Sequence, residues 1–128
     1  MPRGFLDKLS QWPDPAQARF VEIRDIILCA AQDICPVGES LKWGEPAWRP
    51  VKQRQGSTLR VSWSPMHAAT LGVFVNCKTT LAETMRDVYP DVFTYEDNRV
   101  LRMLLSDHIP QQAIDHLARL TFTYHRSG

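Results

Sequence analysis

The sequence predicts an α+β domain, an antiparallel sheet packed against helices, on three observations. Apolar residues between Asp14 and Ile34 recur every three or four positions, the period of an amphipathic helix. Between Ser57 and Cys77 they recur every second position, the period of half-buried strands. The strand-like runs are grouped between helical ones, an order that suits an antiparallel sheet covered by helices. At 128 residues the chain has the usual size of one domain and can fold without metal or disulfide staples. It contains no linker, internal repeat or low-complexity tract, so residues 1–128 are expected to form a single domain.

Asp14 and Pro15 open the first helix, Asp14 as a capping acceptor and Pro15 at the first helical position, where a missing N–H costs nothing. Ala16, Phe20, Ile23, Ile27, Ala30 and Ile34 then form one stripe, and Cys35-Pro36-Val37-Gly38 ends the helix. The segment from Leu41 to Trp48 is short and broken by Gly44 and Pro46, which predicts an edge strand or an ordered loop. In Ser57 to Trp63, Leu59, Val61 and Trp63 share one side and Arg60 and Ser62 the other; in Ala69 to Cys77, Leu71, Val73 and Val75 oppose Thr70, Gly72, Phe74 and Asn76. The short connection Ser64 to Ala68 makes these two strands an antiparallel hairpin. Thr79-Thr80 caps a second helix that runs through Val88 and stops at Tyr89-Pro90. Tyr95 to Leu105 reads as a further strand region with a hairpin about Asp97-Asn98. Pro110 opens a last helix to about Tyr124, with Ile114, Leu117, Ala118 and Leu120-Thr121 facing inward.

Composition excludes several classes of function. Hydrophobic residues make up 44% and charged residues 23%, too apolar for a disordered chain. The longest apolar candidate, Ile26 to Ala31, is far short of the roughly 18 residues of a membrane span. Fifteen basic and fourteen acidic residues leave a net charge of +1 with the cations scattered, so nucleic acid is not the expected partner. Cys29, Cys35 and Cys77 lack CxxC spacing and are read as reduced thiols, Cys29 as a small buried hydrophobe. The opening Met1-Pro2-Arg3-Gly4-Phe5-Leu6-Asp7 has no apolar run of a signal peptide, which gives the cytoplasm as the expected location.

Unusual residues are densest at Glu39-Ser40-Leu41-Lys42-Trp43-Gly44-Glu45-Pro46-Ala47-Trp48. Indole faces beside charged groups on a backbone stiffened by glycine and proline can form a ligand groove, or the two tryptophans can plug the ends of the core. The first alternative makes Lys42, Trp43, Glu45 and Trp48, with Arg60 and Asn76 of the neighbouring sheet, a candidate binding site for a small ligand or a protein partner. No GxSxG, GxGxxG or glycine-rich phosphate loop is present, so binding is expected rather than catalysis.

The Glu-x-Leu-Lys-Trp-Gly-x-Pro-x-aromatic run at 39–48, the strand hairpin after it and the late Asn98-Arg99-Val100-Leu101-Arg102-Met103 strand ahead of a C-terminal helix resemble the YdhG-like family of small domains of unknown function. The similarity runs from about Phe20 to Tyr124. It implies an α+β sandwich similar in shape to frataxin, one branch of the family being regarded as a frataxin-like intracellular iron chaperone. The chain departs from commoner members at Ser64-Pro65-Met66-His67-Ala68-Ala69-Thr70, which replaces a basic, histidine-containing stretch.

Iron, as a hard cation, would call for oxygen ligands, and Asp14, Glu22, Asp25 and Asp33 fall within roughly 100° on the first helix, away from its apolar stripe. These are the candidate metal ligands; a solvated outer face explains them better, since an amphipathic helix must show polar residues to water and Arg19 borders the same face. His67, His108, His116 and His125 show no metal-ligand spacing, and His67 and Cys77 alone could approach each other across the hairpin. The second side of the sheet carries Arg60, Ser62, Thr70, Gly72, Phe74, Asn76 and Arg102. If the helices all lie on the other side, this face suits a small anion, a peptide or a second copy of the chain in a homodimer.

Overall fold

A computed structural model describes residues 1–52 and 54–125. Among them are four α-helices, α1 (Arg3–Leu9), α2 (Asp14–Gln32), α3 (Leu81–Val88) and α4 (Gln111–Phe122). Six strands, β1 (Val37–Lys42), β2 (Glu45–Pro50), β3 (Leu59–Ser62), β4 (Thr70–Val75), β5 (Thr94–Glu96) and β6 (Val100–Leu104), form one sheet in the order β1-β2-β3-β4-β6-β5. Every neighbouring pair is antiparallel. The α+β class, the β3–β4 hairpin and the hairpin through Asp97-Asn98 are as the sequence predicts. No described helix is long and apolar enough to cross a membrane.

The two amphipathic patterns meet in one core. Phe20, Ile23 and Ile27 of α2, Ile114 and Leu117 of α4, and Leu59, Val61, Leu71, Val73 and Leu101 of the sheet are all fully enclosed. Burying each such side chain stabilises the fold by roughly 1.5–3 kcal/mol before chain entropy is counted. Because the inward residues of all four helices join this core, the opposite face of the sheet is left uncovered: Arg60, Ser62, Thr70, Phe74 and Arg102 there are only partly buried.

Four expectations need correction. Asp14 is the first helical residue rather than the cap; Pro13 takes the cap position, with no side-chain hydrogen bond. Helix α1 was not foreseen, since seven residues are too few to show a period; Phe5 and Leu9 bury it. Cys29 is exposed and Cys35 is the buried thiol. The segment 41–48 is only partly an edge strand: Leu41 and Lys42 end the edge strand β1, Trp43 and Gly44 turn, and Glu45 to Trp48 belong to the interior strand β2, in a hairpin with six residue pairs from Val37↔Pro50 to Lys42↔Glu45.

Two local features let that hairpin form. Trp43 and Gly44 both have positive φ, 56° and 76°, as a two-residue turn between twisted strands requires. In β2, backbone groups point alternately to each neighbour, and closure of the turn by Lys42↔Glu45 leaves Pro46, Trp48 and Pro50 addressing β3. The prolines have no N–H to give, so the β2–β3 ladder shrinks to Ala47↔Arg60 and Trp48↔Leu59. An interior strand thus tolerates two prolines at the cost of a short ladder.

Candidate functional site

The β1–β2 hairpin sends its two tryptophans to opposite faces. Trp48 points inward and is fully enclosed, edge-on to Phe5 at 5.6 Å and stacked on Phe20 at 5.8 Å between ring centres. Its Nε1 donates to Glu39 Oε2 at 3.1 Å. Glu39 also accepts from Arg24 of α2, at 2.6 Å from Nε and 2.9 Å from Nη2. Those bonds, those from Arg24 first, hold the Glu39 carboxyl below the usual glutamate range against the desolvation that would raise it.

Trp43, five residues earlier, is 83% exposed. Left-handed backbone costs a residue with a side chain roughly 1–2 kcal/mol, and a turn of this type accepts it most readily from glycine or asparagine. The indole has no ring or hydrogen-bond partner among the described residues. It stands instead at the rim of a cleft of about 290 Å³ on the uncovered face.

Three cations line that cleft: Lys42 beside the turn, Arg60 on β3 and Arg99 just before β6. Phe74 forms its floor, paired with Arg60 in register, and the Arg60 guanidinium lies over the Phe74 ring at 4.6 Å. Thr58, Asn76 and Cys77 supply polar atoms at the far end, and none of the lining residues carries a carboxylate. A smaller hollow of about 190 Å³ adjoins through Lys42 and Thr58 and adds Arg49, a fourth cation. The twist of the sheet accounts for a cleft whose walls come from positions far apart along its strands, since in a twisted sheet opposite corners rise over one face.

Arg60 is the electrostatic centre. Burial pulls its guanidinium below the ordinary arginine value; the Glu45 charge counters this, and Arg99 reinforces it. Among the described residues Arg60 has no ion pair. The contrast with Arg102 on the same face is direct, since Arg102 Nε is held by Glu96 at 2.6 and 2.9 Å.

The solved structure of YdhG from Bacillus subtilis, a protein of the DUF1801 family, matches this backbone with a TM-score of 0.64, covering 91% of this chain and 86% of that one at 15% sequence identity. The fold is the YdhG-like one. No protein-family model and no curated protein matches the chain. At that identity the likeness is one of architecture, and the cleft on this YdhG-like sheet is described by this chain's own side chains.

Of the six residues expected at a ligand site, Lys42, Trp43, Arg60 and Asn76 line the cleft together. Trp48 does not, because its side of β2 faces the helices. Glu45 turns aside to Lys8 of α1 at 3.5 Å, with its Oε2 buried and lacking a hydrogen-bond partner among the described residues. The four carboxylates considered as metal ligands do not converge. Glu22 accepts from Arg19 at 2.8 Å and Asp33 from Arg119 at 2.7 Å, and among the described residues no three His, Cys, Asp or Glu side chains form a metal-binding group. Thr58, Cys77 and Arg99 were not expected in the cleft, whereas Phe74 was expected on the open sheet face beside Arg60. Phe74 was legible, because strand alternation already put it beside Arg60; Arg99 was not, because it lies outside the alternating stretch of β6.

Proposed function

We propose that this YdhG-like domain binds a small anionic ligand in the cleft on the uncovered sheet face and carries out no reaction of its own. The observation that carries this is Arg60, a partly buried guanidinium with no carboxylate partner, set among two further cations. Withdrawing a cation from water without a partner is unfavourable, and each hydrogen bond to an arriving anion would return roughly 1.5–3 kcal/mol. The net charge of +1 makes the local excess notable: acids elsewhere balance the chain, while this hollow collects cations. Its volume, near the small end for ligand pockets, favours a compact ligand over a macromolecule.

Inorganic phosphate titrated into the protein, followed by backbone amide NMR, tests the reading. Shifts are expected to cluster at Thr58, Arg60, Phe74, Asn76 and Arg99, and Arg60→Gln should weaken binding by about tenfold or more, the equivalent of one charge-assisted hydrogen bond. Shifts spread over the surface, or an affinity indifferent to Arg60→Gln, would rule the reading out.

A further inference from the structure

We infer that the ligand is a planar aromatic ring bearing a phosphate or carboxylate, with the anionic group on Arg60, Lys42 and Arg99 and the ring against Trp43. This rests on the anion-binding reading above and narrows it to a chemical class. Trp43 is the observation that takes it further. A bulky indole is held almost entirely in water, at φ 56°, on a turn where smaller residues are at ease, and no contact within the fold repays either cost. Simple anion capture has no use for it, because a cluster of cations alone would serve.

Two further lining residues suit a ring beside Trp43. The Arg60 guanidinium lies over the Phe74 ring at 4.6 Å, so a cation backed by a ring lines the same cleft as the indole. Guanidinium and indole faces both accept a stacked aromatic, and the guanidinium edge still offers N–H donors to an oxyanion attached to that aromatic. Asn76 adds a selective group: its Oδ1 accepts from the Lys78 N–H at 2.9 Å, which leaves its amide nitrogen free to donate to a ring substituent. About 290 Å³ is enough for one fused ring with one oxyanion.

The test compares 1-naphthyl phosphate with inorganic phosphate, by the same NMR titration, in the wild-type protein and in Trp43→Ala. The wild type should bind the aryl phosphate about tenfold or more tighter than phosphate, within the range that stacking on an aromatic side chain provides. Trp43→Ala should erase that preference, the ratio of the two affinities falling to about one, while Trp43→Phe should restore part of it. Equal affinity for the two probes, or a preference that survives Trp43→Ala, overturns the aromatic assignment and leaves the anion site standing. Binding of neither probe overturns both. Because Trp43 is 83% exposed, a cooperative unfolding transition in each variant shows that the comparison is made on folded protein.

Discussion

On each side of the sheet a tryptophan of the β1–β2 hairpin and an arginine can be compared, and their circumstances are opposite. On the helix-covered face Trp48 is enclosed, and Arg24 is locked to Glu39 by two hydrogen bonds, with both side chains only 18% exposed. On the other face Trp43 stands in water, and Arg60 rests on a ring with no carboxylate. Composition is the same and satisfaction differs. Where every polar atom has its partner the group serves the fold; where a costly group is left open, the fold gains nothing from it, and something outside the chain is its natural complement.

The largest expected effect separates the two indoles. Trp48→Ala should lower unfolding free energy by about 3–5 kcal/mol, since it leaves a cavity against Phe5 and Phe20 and strips Glu39 of a donor. Trp43→Ala should change it by less than about 0.5 kcal/mol, as for an exposed surface position. Urea titrations of both variants measure the gap, and similar losses at the two positions would erase the distinction between the faces.

A smaller effect comes from the ion pair beneath Trp48. Glu39→Gln should cost roughly 2 kcal/mol at neutral pH by leaving Arg24 short of its charge partner. The folded state holds the Glu39 carboxyl below its ordinary value of 4.5, so it favours the ionised form. The resulting stabilisation is complete above that value and disappears as the pH falls through the lower, folded-state value. The stability of Glu39→Gln should therefore fall less steeply than that of the wild type on acidification below about pH 4.5. Parallel acid limbs in the two proteins would mean that the carboxylate contributes nothing to the fold.

The covered face was the legible one. A period of 3.6 in α2 and of 2 in β3 and β4 is written in residues such as Phe20, Ile23, Val61 and Val73, whose burial is decided by hydrophobicity alone. The site was legible only where strand alternation reached, which put Arg60, Phe74 and Asn76 on one side. What the sequence does not disclose is how Trp43 and Trp48 divide between faces. That depends on a tryptophan taking a left-handed turn position against its own preference, after which the strand period sends Trp48 inward. For Asp14, Glu22, Asp25 and Asp33 the same holds: a helical wheel gives angles but not partners, and Arg119, which pairs with Asp33, lies 86 residues away on α4.

The smallest effect has the opposite sign to the others and bears most directly on Arg60. Exchanging an arginine for an apolar residue of similar length normally costs stability when the guanidinium is paired, because a carboxylate is then left alone. Arg60 has no ion pair to lose among the described residues, and burial disfavours its charge by more than the nearby Glu45 carboxylate restores. Arg60→Met keeps the stem over Phe74 and removes the desolvated charge, so it should leave unfolding free energy unchanged or raise it by up to about 1 kcal/mol while weakening phosphate binding at least as much as Arg60→Gln does. Arg102→Met, a change on the same face to an arginine held by Glu96, should instead lower stability. A loss of stability in Arg60→Met equal to that in Arg102→Met would mean that Arg60 is already satisfied within the chain, and the cleft would then need no ligand to complete it.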